Sequence, residues 1–215
     1  MTLFSEAFEA NGYHVLSAVA SEAEIREIEA HVAGLVSDRA GTRNLLTTAW
    51  CRRMADNLRQ IPEIASVLPP GAVAMQCTYF EKSKSKNWLV AIHRDLSIPV
   101  KARIDSPDWT AWSEKEGVLF AHPPASVLQS VVAVRVHLEE NDEANSPLQV
   151  VPGSHVVGES SNRRDICLVP RGGALVMRPL LLHASSKLVS GRRRVLHFMF
   201  GPRELPNKAE WAHAV

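Results

Sequence analysis

The most constraining feature of this chain is a series of short β-rich runs that begins at Val73 and ends at Phe200. The runs are rich in Val, Ile, Leu and aromatic residues, and Gly, Pro, Asn and Asp separate them. They span residues 73–81, 88–95, 131–138, 148–151, 174–177, 180–184 and 193–200. Many short strands at this spacing predict a β-sandwich or jelly roll with helices against one sheet.

The first third of the chain predicts helices instead. Ser21 and Glu24 form a capping-box pattern, and the apolar residues at positions 25, 28, 32 and 35 recur at helical spacing. A second helical stretch is predicted from about residue 45 to 58, with an interruption near Pro62. We therefore expect one domain over residues 1–215, mostly helical over 1–70 and with a β core over 73–200. The fold class is mainly β with flanking α-helices.

Charge and cysteine content narrow the class of partner. The 24 basic and 23 acidic residues are mixed along the chain, so they offer no footprint for nucleic acid or an anionic membrane. No apolar run approaches the roughly 20 residues that span a bilayer, and the first residues lack a secretory leader pattern. Cys51, Cys77 and Cys167 are odd in number and lie among apolar residues, which predicts buried free thiols. We expect a cytoplasmic protein that binds a small molecule.

His93-Arg94-Asp95, in one β-rich run, is a candidate metal site. Residues i and i+2 of a strand point to the same face, so His93 and Asp95 can hold one ion while Arg94 faces away. The distal His183 would complete a facial triad for iron(II), with open positions for a co-substrate and dioxygen. The alternative is that His-x-Asp, a very short pattern, occurs by chance and that His183 is a hydrogen-bonded structural residue.

A cluster of basic residues, Arg192-Arg193-Arg194, enters the last apolar run soon after His183. An arginine on the inward face of a strand needs an anion, since its charge is costly to bury without one. The cluster therefore indicates an anion-binding position near the candidate metal site.

Four motifs in order resemble the phytanoyl-CoA dioxygenase family of iron(II) and 2-oxoglutarate-dependent oxygenases. They are His93-x-Asp95, the segment from Leu138 to Pro-Gly-Ser-His155, His183-Ala-Ser185, and Arg193-Arg194-Val-Leu-His. The N-terminal segment 8–13, followed by a helix, is similar to that family as well. The resemblance implies a double-stranded β-helix, a cupin-like jelly roll, with the metal near one open end.

The resemblance also implies a set of site residues. His93, Asp95 and His183 would bind iron(II), and Ser185 with one arginine would bind the far carboxylate of 2-oxoglutarate. Arg193 is favoured because it is the first of the matched pair, and Arg194 is the alternative. Arg43 lies roughly where some relatives supply a basic residue to the co-substrate. A turn-ordering role is expected for His155, and core or surface positions for His122, His137 and His197.

The implied activity is that of a dioxygenase that uses iron(II), 2-oxoglutarate and O2. It would hydroxylate an unactivated C–H bond of a small molecule and release succinate and CO2. Two alternatives remain open at this point: a cupin-like metal enzyme that does not use 2-oxoglutarate, and a catalytically silent binding module of the same fold.

Residues 101–124 are expected to be a long irregular connection that forms the substrate wall. The segment has no clean period and carries Trp109 and Trp112. Gln76, Arg103 and Trp112 are the candidate substrate contacts, and Lys101 is a further candidate cation. The alternative is a surface excursion in which the tryptophans are packing anchors.

Overall fold

A computed structural model describes residues 2–35, 41–156 and 163–215. In these residues the α-helices are α1 (Leu3–Asn11), α2 (Glu22–Val32), α3 (Ala49–Gln60), α4 (Pro62–Ala65) and α5 (Ala125–Ser130). Short 3-10 segments lie at Leu45–Thr47, Glu143–Asn145 and Pro206–Lys208. The predicted second helical stretch is thus a 3-10 turn followed by α3, which continues to Gln60.

The β-structure of the described residues forms three sheets whose strands all pair antiparallel. The strands are β1 (Tyr13–Leu16), β2 (Gly41–Thr42), β3 (Val73–Lys82), β4 (Val90–His93), β5 (Ile98–Val100), β6 (Thr110–Lys115), β7 (Val118–His122), β8 (Val132–His137), β9 (Leu148–Val150), β10 (Asp165–Cys167), β11 (Ala174–Met177), β12 (His183–Ser185) and β13 (Arg193–Gly201). The major sheet has the order β1-β11-β8-β13-β3-β2, the minor sheet β10-β9-β12-β4, and the hairpin sheet β5-β7-β6.

The major sheet has two chemically different faces. On β8, Val132, Val134 and Val136 belong to an apolar cluster that includes residues of α2 and α3. The residues between them, such as Ala133 and Arg135, point the other way because side chains alternate along a strand. Ala133 clusters with apolar residues of the minor sheet. The two sheets therefore face each other as a jelly roll, which confirms the predicted fold class.

Helix α2 begins as its sequence predicts. The hydroxyl of Ser21 accepts a hydrogen bond from the Glu24 backbone N–H at 3.3 Å, and the Glu24 carboxylate accepts one from the Ser21 backbone N–H at 2.7 Å. This capping box satisfies two backbone donors that a helix start leaves unpaired. Ile25, Ile28 and Val32 are buried against the outer face of the major sheet.

The segment 101–124 is not an irregular connection, so that prediction was wrong. It contains strands β6 and β7, joined by Glu116 and Gly117, whose φ angles of 52° and 76° are those of a type I′ hairpin turn. The register of β6 shifts between Thr110 and Ser113, which disrupts the period-2 pattern and hides the strand from sequence inspection.

Two predicted strands next to the candidate site are shorter in the structure. Strand β4 ends at His93, so Asp95 lies just beyond it instead of within it. Strand β12 begins at His183 and includes Ser185. Both strands lie in the minor sheet, and β12 separates β4 from β9.

Two expectations from composition can be compared with the structure. The cysteines Cys51, Cys77 and Cys167 are buried and free, as predicted. Among the described residues, no helix has the length and apolar character needed to cross a bilayer.

Candidate active site

His93 and His183 are neighbours because of the register between two strands of the minor sheet. His183 of β12 is the direct partner of His93 of β4. Their ring centroids are 4.2 Å apart. Antiparallel pairing therefore brings together two histidines that are 90 positions apart in the sequence.

The two imidazole rings are oriented by backbone carbonyls. Nδ1 of His93 lies 2.9 Å from the Ala91 carbonyl oxygen, and Nδ1 of His183 lies 2.8 Å from the Leu181 carbonyl oxygen. A carbonyl can only accept, so Nδ1 of each ring carries a proton and donates it, which leaves Nε2 as the nitrogen that can bind a metal. This second hydrogen bond is the usual support of a metal-binding histidine.

Asp95 completes the cluster from beyond the end of β4. Its backbone N–H donates to the Pro179 carbonyl at 2.9 Å, which holds the residue beside β12. Its carboxylate oxygens lie 3.5 Å from His93 Nε2 and 3.7 Å from His183 Nε2. One ligand atom from each of the three residues fits within 4.8 Å of the others.

The donor atoms of this cluster suit a divalent cation. Burial raises the pKa of Asp95, but the hydrogen bond with His93 and the electrostatic interactions with the His183 and His197 side chains lower it by more, so the net pKa is below its usual range. Burial also lowers the pKa of His183, which favours the neutral ring. The hydrogen bond with Asp95, in contrast, raises the pKa of His93. Two imidazole nitrogens and one carboxylate oxygen are the donor set of a non-haem iron(II) site, and the residues fit that metal.

The cluster opens into a central cavity of about 560 Å³ between the two sheets. The cavity is lined by the cationic side chains Arg43, Arg94, Lys115, Arg135 and Arg193, by the polar residues Gln76, Thr78, Ser97, His122, Ser185 and His197, and by the apolar residues Phe80, Trp88, Val90, Leu96, Phe120, Leu148 and Met199, besides the three cluster residues. Among these lining residues Asp95 is the only carboxylate. The described walls therefore favour anionic ligands.

Arg193 and Arg194 point to opposite faces of the major sheet. Arg193 lines the cavity, is 6% exposed and donates to the Ser146 carbonyl. Burial and the charge of Arg135 lower its pKa to about 9. Arg194 donates instead to the carboxylates of Glu139 and Glu29 and is absent from the cavity wall. The structure thus leaves only Arg193 of this pair free to meet an anion in the cavity.

Ser185 is supported by a buried lysine that sequence inspection missed. Lys82 Nζ donates to Ser185 Oγ at 2.9 Å, to Ser146 Oγ at 3.0 Å and to the Ser186 carbonyl at 2.7 Å. Because Ser185 Oγ accepts from Lys82, its own proton can point into the cavity. Burial, with the charges of Arg193 and Arg135, lowers the pKa of Lys82 to about 7.

The remaining candidates divide into two groups. Gln76 lines the cavity, as does Arg43, which forms an ion pair with Glu116 of the hairpin turn at 3.1 Å. Trp112 and Arg103 contact each other, with the guanidinium 5.2 Å from the ring centroid, and neither belongs to the cavity wall. The hairpin sheet reaches the cavity through other residues, Lys115, Phe120 and His122.

Arg135 and His197 also line the cavity, although Arg135 was not predicted as a site residue and His197 was expected at a core or surface position. They are register partners on β8 and β13, and both face the minor sheet. His197 Nε2 lies 3.9 Å from an Asp95 oxygen, and burial, with the charge of Arg135, lowers its pKa to about 3. A signal was present in the run Val-Ala-Val-Arg-Val-His, where a charged residue interrupts an otherwise apolar strand.

A jelly roll that holds two histidines and a carboxylate at one end of its cavity defines a non-haem iron enzyme. The profile of the phytanoyl-CoA dioxygenase (PhyH) family matches residues 8–196. The chain belongs to this family. No curated protein sequence matches the chain.

Solved structures share the fold at low sequence identity. HygX from Streptomyces hygroscopicus with iron bound aligns with a TM-score of 0.69 at 16% identity over 94% of this chain and 87% of that one. SnoN, a non-haem α-ketoglutarate-dependent epimerase from nogalamycin biosynthesis, aligns at 0.68 and 15% identity over 92% and 80%. EctD from S. alaskensis aligns at 0.67 and 16% identity over 94% and 77%.

The cofactor and co-substrates follow from the family and the triad together. They are iron(II), 2-oxoglutarate and O2. HygX has also been solved with nickel and 2-oxoglutarate bound, at a TM-score of 0.68 to this chain. The chain is therefore a 2-oxoglutarate-dependent non-haem iron enzyme.

Proposed function

We propose that the protein hydroxylates an unactivated C–H bond of a small molecule while it converts 2-oxoglutarate to succinate and CO2. The observation that carries the proposal is a shared cavity. The His93–Asp95–His183 cluster lines it, and so does Arg193, which is buried and forms no ion pair with a described carboxylate. Iron(II), when bound there, supplies the activation of dioxygen.

His93, Asp95 and His183 are proposed to hold the metal on one face. The carbonyls of Ala91 and Leu181 keep Nε2 of each histidine pointed at it. Asp95 lies beyond the end of β4, and its backbone hydrogen bond to Pro179 holds this third ligand in position. The ligands need little rearrangement when the metal binds, since their supports are already in place.

Arg193 and Ser185 are proposed to bind the far carboxylate of 2-oxoglutarate. A guanidinium presents two parallel donors to a carboxylate, and the Ser185 hydroxyl adds a third because Lys82 already donates to its oxygen. Arg43, at the cavity wall but paired with Glu116, is proposed to contribute a weaker and longer-range attraction. These contacts would fix the co-substrate relative to the metal.

Gln76 is proposed to contact the substrate from the cavity wall. Its Oε1 is buried without a hydrogen-bond partner, whereas its Nε2 donates to Thr78 at 2.8 Å. The apolar residues of the wall, among them Phe120 and Leu148, would exclude water from the reacting C–H bond. The hairpin residues that reach the cavity replace Arg103 and Trp112 as candidates for the substrate wall.

The test is coupled turnover with purified, iron-loaded protein. Oxygen uptake and succinate release are measured together over a panel of small-molecule substrates, and product mass separates hydroxylation from epimerisation. We expect one succinate per oxygen consumed and a product heavier by one oxygen atom. Metal-dependent turnover with no requirement for 2-oxoglutarate would instead indicate the cupin-like alternative, and absence of both activities would indicate a binding module.

A further inference from the structure

The cavity holds more positive charge than the proposed reaction uses. Arg43 is paired with Glu116, and the guanidinium of Arg94 donates to the backbone carbonyls of Leu180 and Ser154. The other lining cations, Arg193, Arg135 and Lys115, have no carboxylate partner within 4 Å among the described residues. Arg193 is assigned to 2-oxoglutarate, whose charge is equal and opposite to that of iron(II). Arg135 and Lys115 therefore remain without an assigned anion, and Asp95 is the sole carboxylate among the lining residues.

Arg135 is the clearest member of this surplus. Its side chain is 7% exposed, its Nη1 hydrogen-bonds to His197 Nδ1 at 3.1 Å, and its Nε has no hydrogen-bond partner. A guanidinium without a counter-ion in such a place is costly, and the cost is offset when an anion binds. Arg135 therefore resembles half of an ion pair whose other half is a ligand.

Strand register separates Arg135 from the proposed co-substrate position. Arg193 is the partner of Lys82, whereas Arg135 is the partner of His197, four residues further along β13. At about 3.3 Å per residue, the two arginines arise from backbone positions roughly 13 Å apart along the sheet. His197 lies beside Asp95, so Arg135 belongs to the level of the metal cluster.

A hydrogen-bond acceptor lies on the same face. Thr78 is the other register partner of His197, and Gln76, two residues before it, carries the unpartnered Oε1. An N–H or O–H group of a ligand in the cavity would satisfy this atom. Lys115, above the ring of Phe120 at 4.6 Å, adds a second cation from the hairpin side of the cavity.

We propose that the substrate is a compact carboxylate that also carries an N–H or O–H group, such as an amino acid or hydroxy acid, and that Arg135 binds its carboxylate. This inference rests on the proposed function, in which Arg193 binds 2-oxoglutarate and is therefore not available to the substrate. Gln76 accepts from the substrate's donor group, and Lys115 attracts the anion toward the cavity.

The experiment uses the full chain loaded with Ni(II) and saturating 2-oxoglutarate, which permits binding without turnover. Ligand-observed NMR and calorimetry compare hydroxy and amino carboxylates with their primary amides, which match them in size but lack the charge. We expect the wild-type protein to prefer the carboxylates by roughly tenfold or more, as a charge-assisted pair allows. Arg135→Gln should abolish that preference and leave the affinity for 2-oxoglutarate within about twofold. Lys115→Gln should reduce the preference a few-fold.

Several outcomes separate this inference from the proposed function. If the wild-type protein fails to bind 2-oxoglutarate, the proposed function fails. If it binds 2-oxoglutarate but shows no preference for carboxylates over amides, the substrate class is wrong. If inorganic phosphate binds through Arg135 and carboxylates do not, the assignment to a carboxylate is overturned. If Arg135→Gln weakens 2-oxoglutarate as strongly as Arg193→Gln, Arg135 belongs to the co-substrate site.

Two further variants guard against a folding defect. Arg135→Lys keeps a positive charge but lacks the two parallel donors, so it should also lose most of the preference if Arg135→Gln does not fold. Arg192→Gln, at an exposed arginine of the neighbouring cluster, is the matched control and should leave all affinities unchanged. If Arg135→Lys and Arg135→Gln both fold and both still prefer carboxylates to amides, the proposal is contradicted.

Discussion

The two faces of the major sheet carry opposite chemistry on the same strands. Outward residues of β8 and β13, such as Val134, Val136 and Phe198, are fully buried against the helices. Inward residues of the same strands include Arg135, Arg193 and other groups that are costly to bury. The outer face stabilises the fold, whereas the inner face holds buried cations that ligands can pair. Strand alternation separates the two tasks by a single residue step.

The largest effect should come from the metal cluster on the inner side. Alanine at His93, Asp95 or His183 should abolish metal-dependent turnover, because each removes one of three ligands to the same ion. The unfolding midpoint of the metal-free protein should change little. Elemental analysis of purified variants checks this, and unchanged metal content in all three would refute the assignment.

The largest effect on stability should come from the outer face. Phe198→Ala should lower the free energy of unfolding by about 3–5 kcal/mol, since it leaves a cavity in a closely packed cluster. Urea unfolding of the metal-free proteins measures the change, with exposed Leu3→Ala as the control. If Phe198→Ala loses less free energy of unfolding than an inner-face variant such as Arg135→Gln, the outer face is not the main source of stability.

The adjacent arginines test the comparison at one residue step. Arg193→Gln should raise the apparent KM for 2-oxoglutarate by about 10- to 150-fold, as loss of a charge-assisted hydrogen bond of about 1.5–3 kcal/mol predicts. Arg194→Gln should instead lower stability through loss of its contacts with Glu29 and Glu139, with little change in KM. Steady-state kinetics and urea unfolding of both variants provide the measurements. The reverse ranking of KM effects would assign the co-substrate to Arg194.

The smallest effect concerns the pH dependence contributed by Lys82. Burial and neighbouring arginines lower its folded-state pKa to about 7, whereas the unfolded chain has the ordinary value of 10.5. Between these values the unfolded state binds more protons, so this residue makes the folded state gain stability as pH rises from about 7 to about 10.5. Below about pH 7 both states are protonated and the full destabilisation remains.

Lys82→Met should remove that gain. Urea unfolding of the wild-type and variant proteins near pH 7 and near pH 9.5 gives the difference, and the stability gap between them should narrow with rising pH if the variant is the more stable. Equal pH slopes in both proteins would show that Lys82 does not carry this dependence.

Much of the fold was predictable because its signals are local. The capping box at Ser21, the turn residues and the apolar runs each act within a few positions of the chain, so α2 and most core strands were predicted from sequence. The hairpin of residues 110–122 was missed because a register irregularity removes the period-2 pattern on which strand prediction depends.

The candidate site divides in the same way. His93 and Asp95 are two positions apart, and His183 belongs to a recognisable motif. The sequence by itself therefore predicted the three ligands and the family. Arg135 and Lys82 were not identified from the sequence, because their contacts involve residues at least 60 positions away. Such contacts exist only once strand pairing has occurred.

The sequence determined the class of fold, the ligand types and the presence of an arginine beside them. Only the tertiary structure decided that Arg193 faces the cavity while Arg194 faces Glu29 and Glu139. The physical reason is that both faces of β13 are buried, so alternation along the strand is equally compatible with either arginine pointing inward. The pairing register of β13 with β3 and β8 decides which arginine points into the cavity, and no local sequence pattern encodes that register.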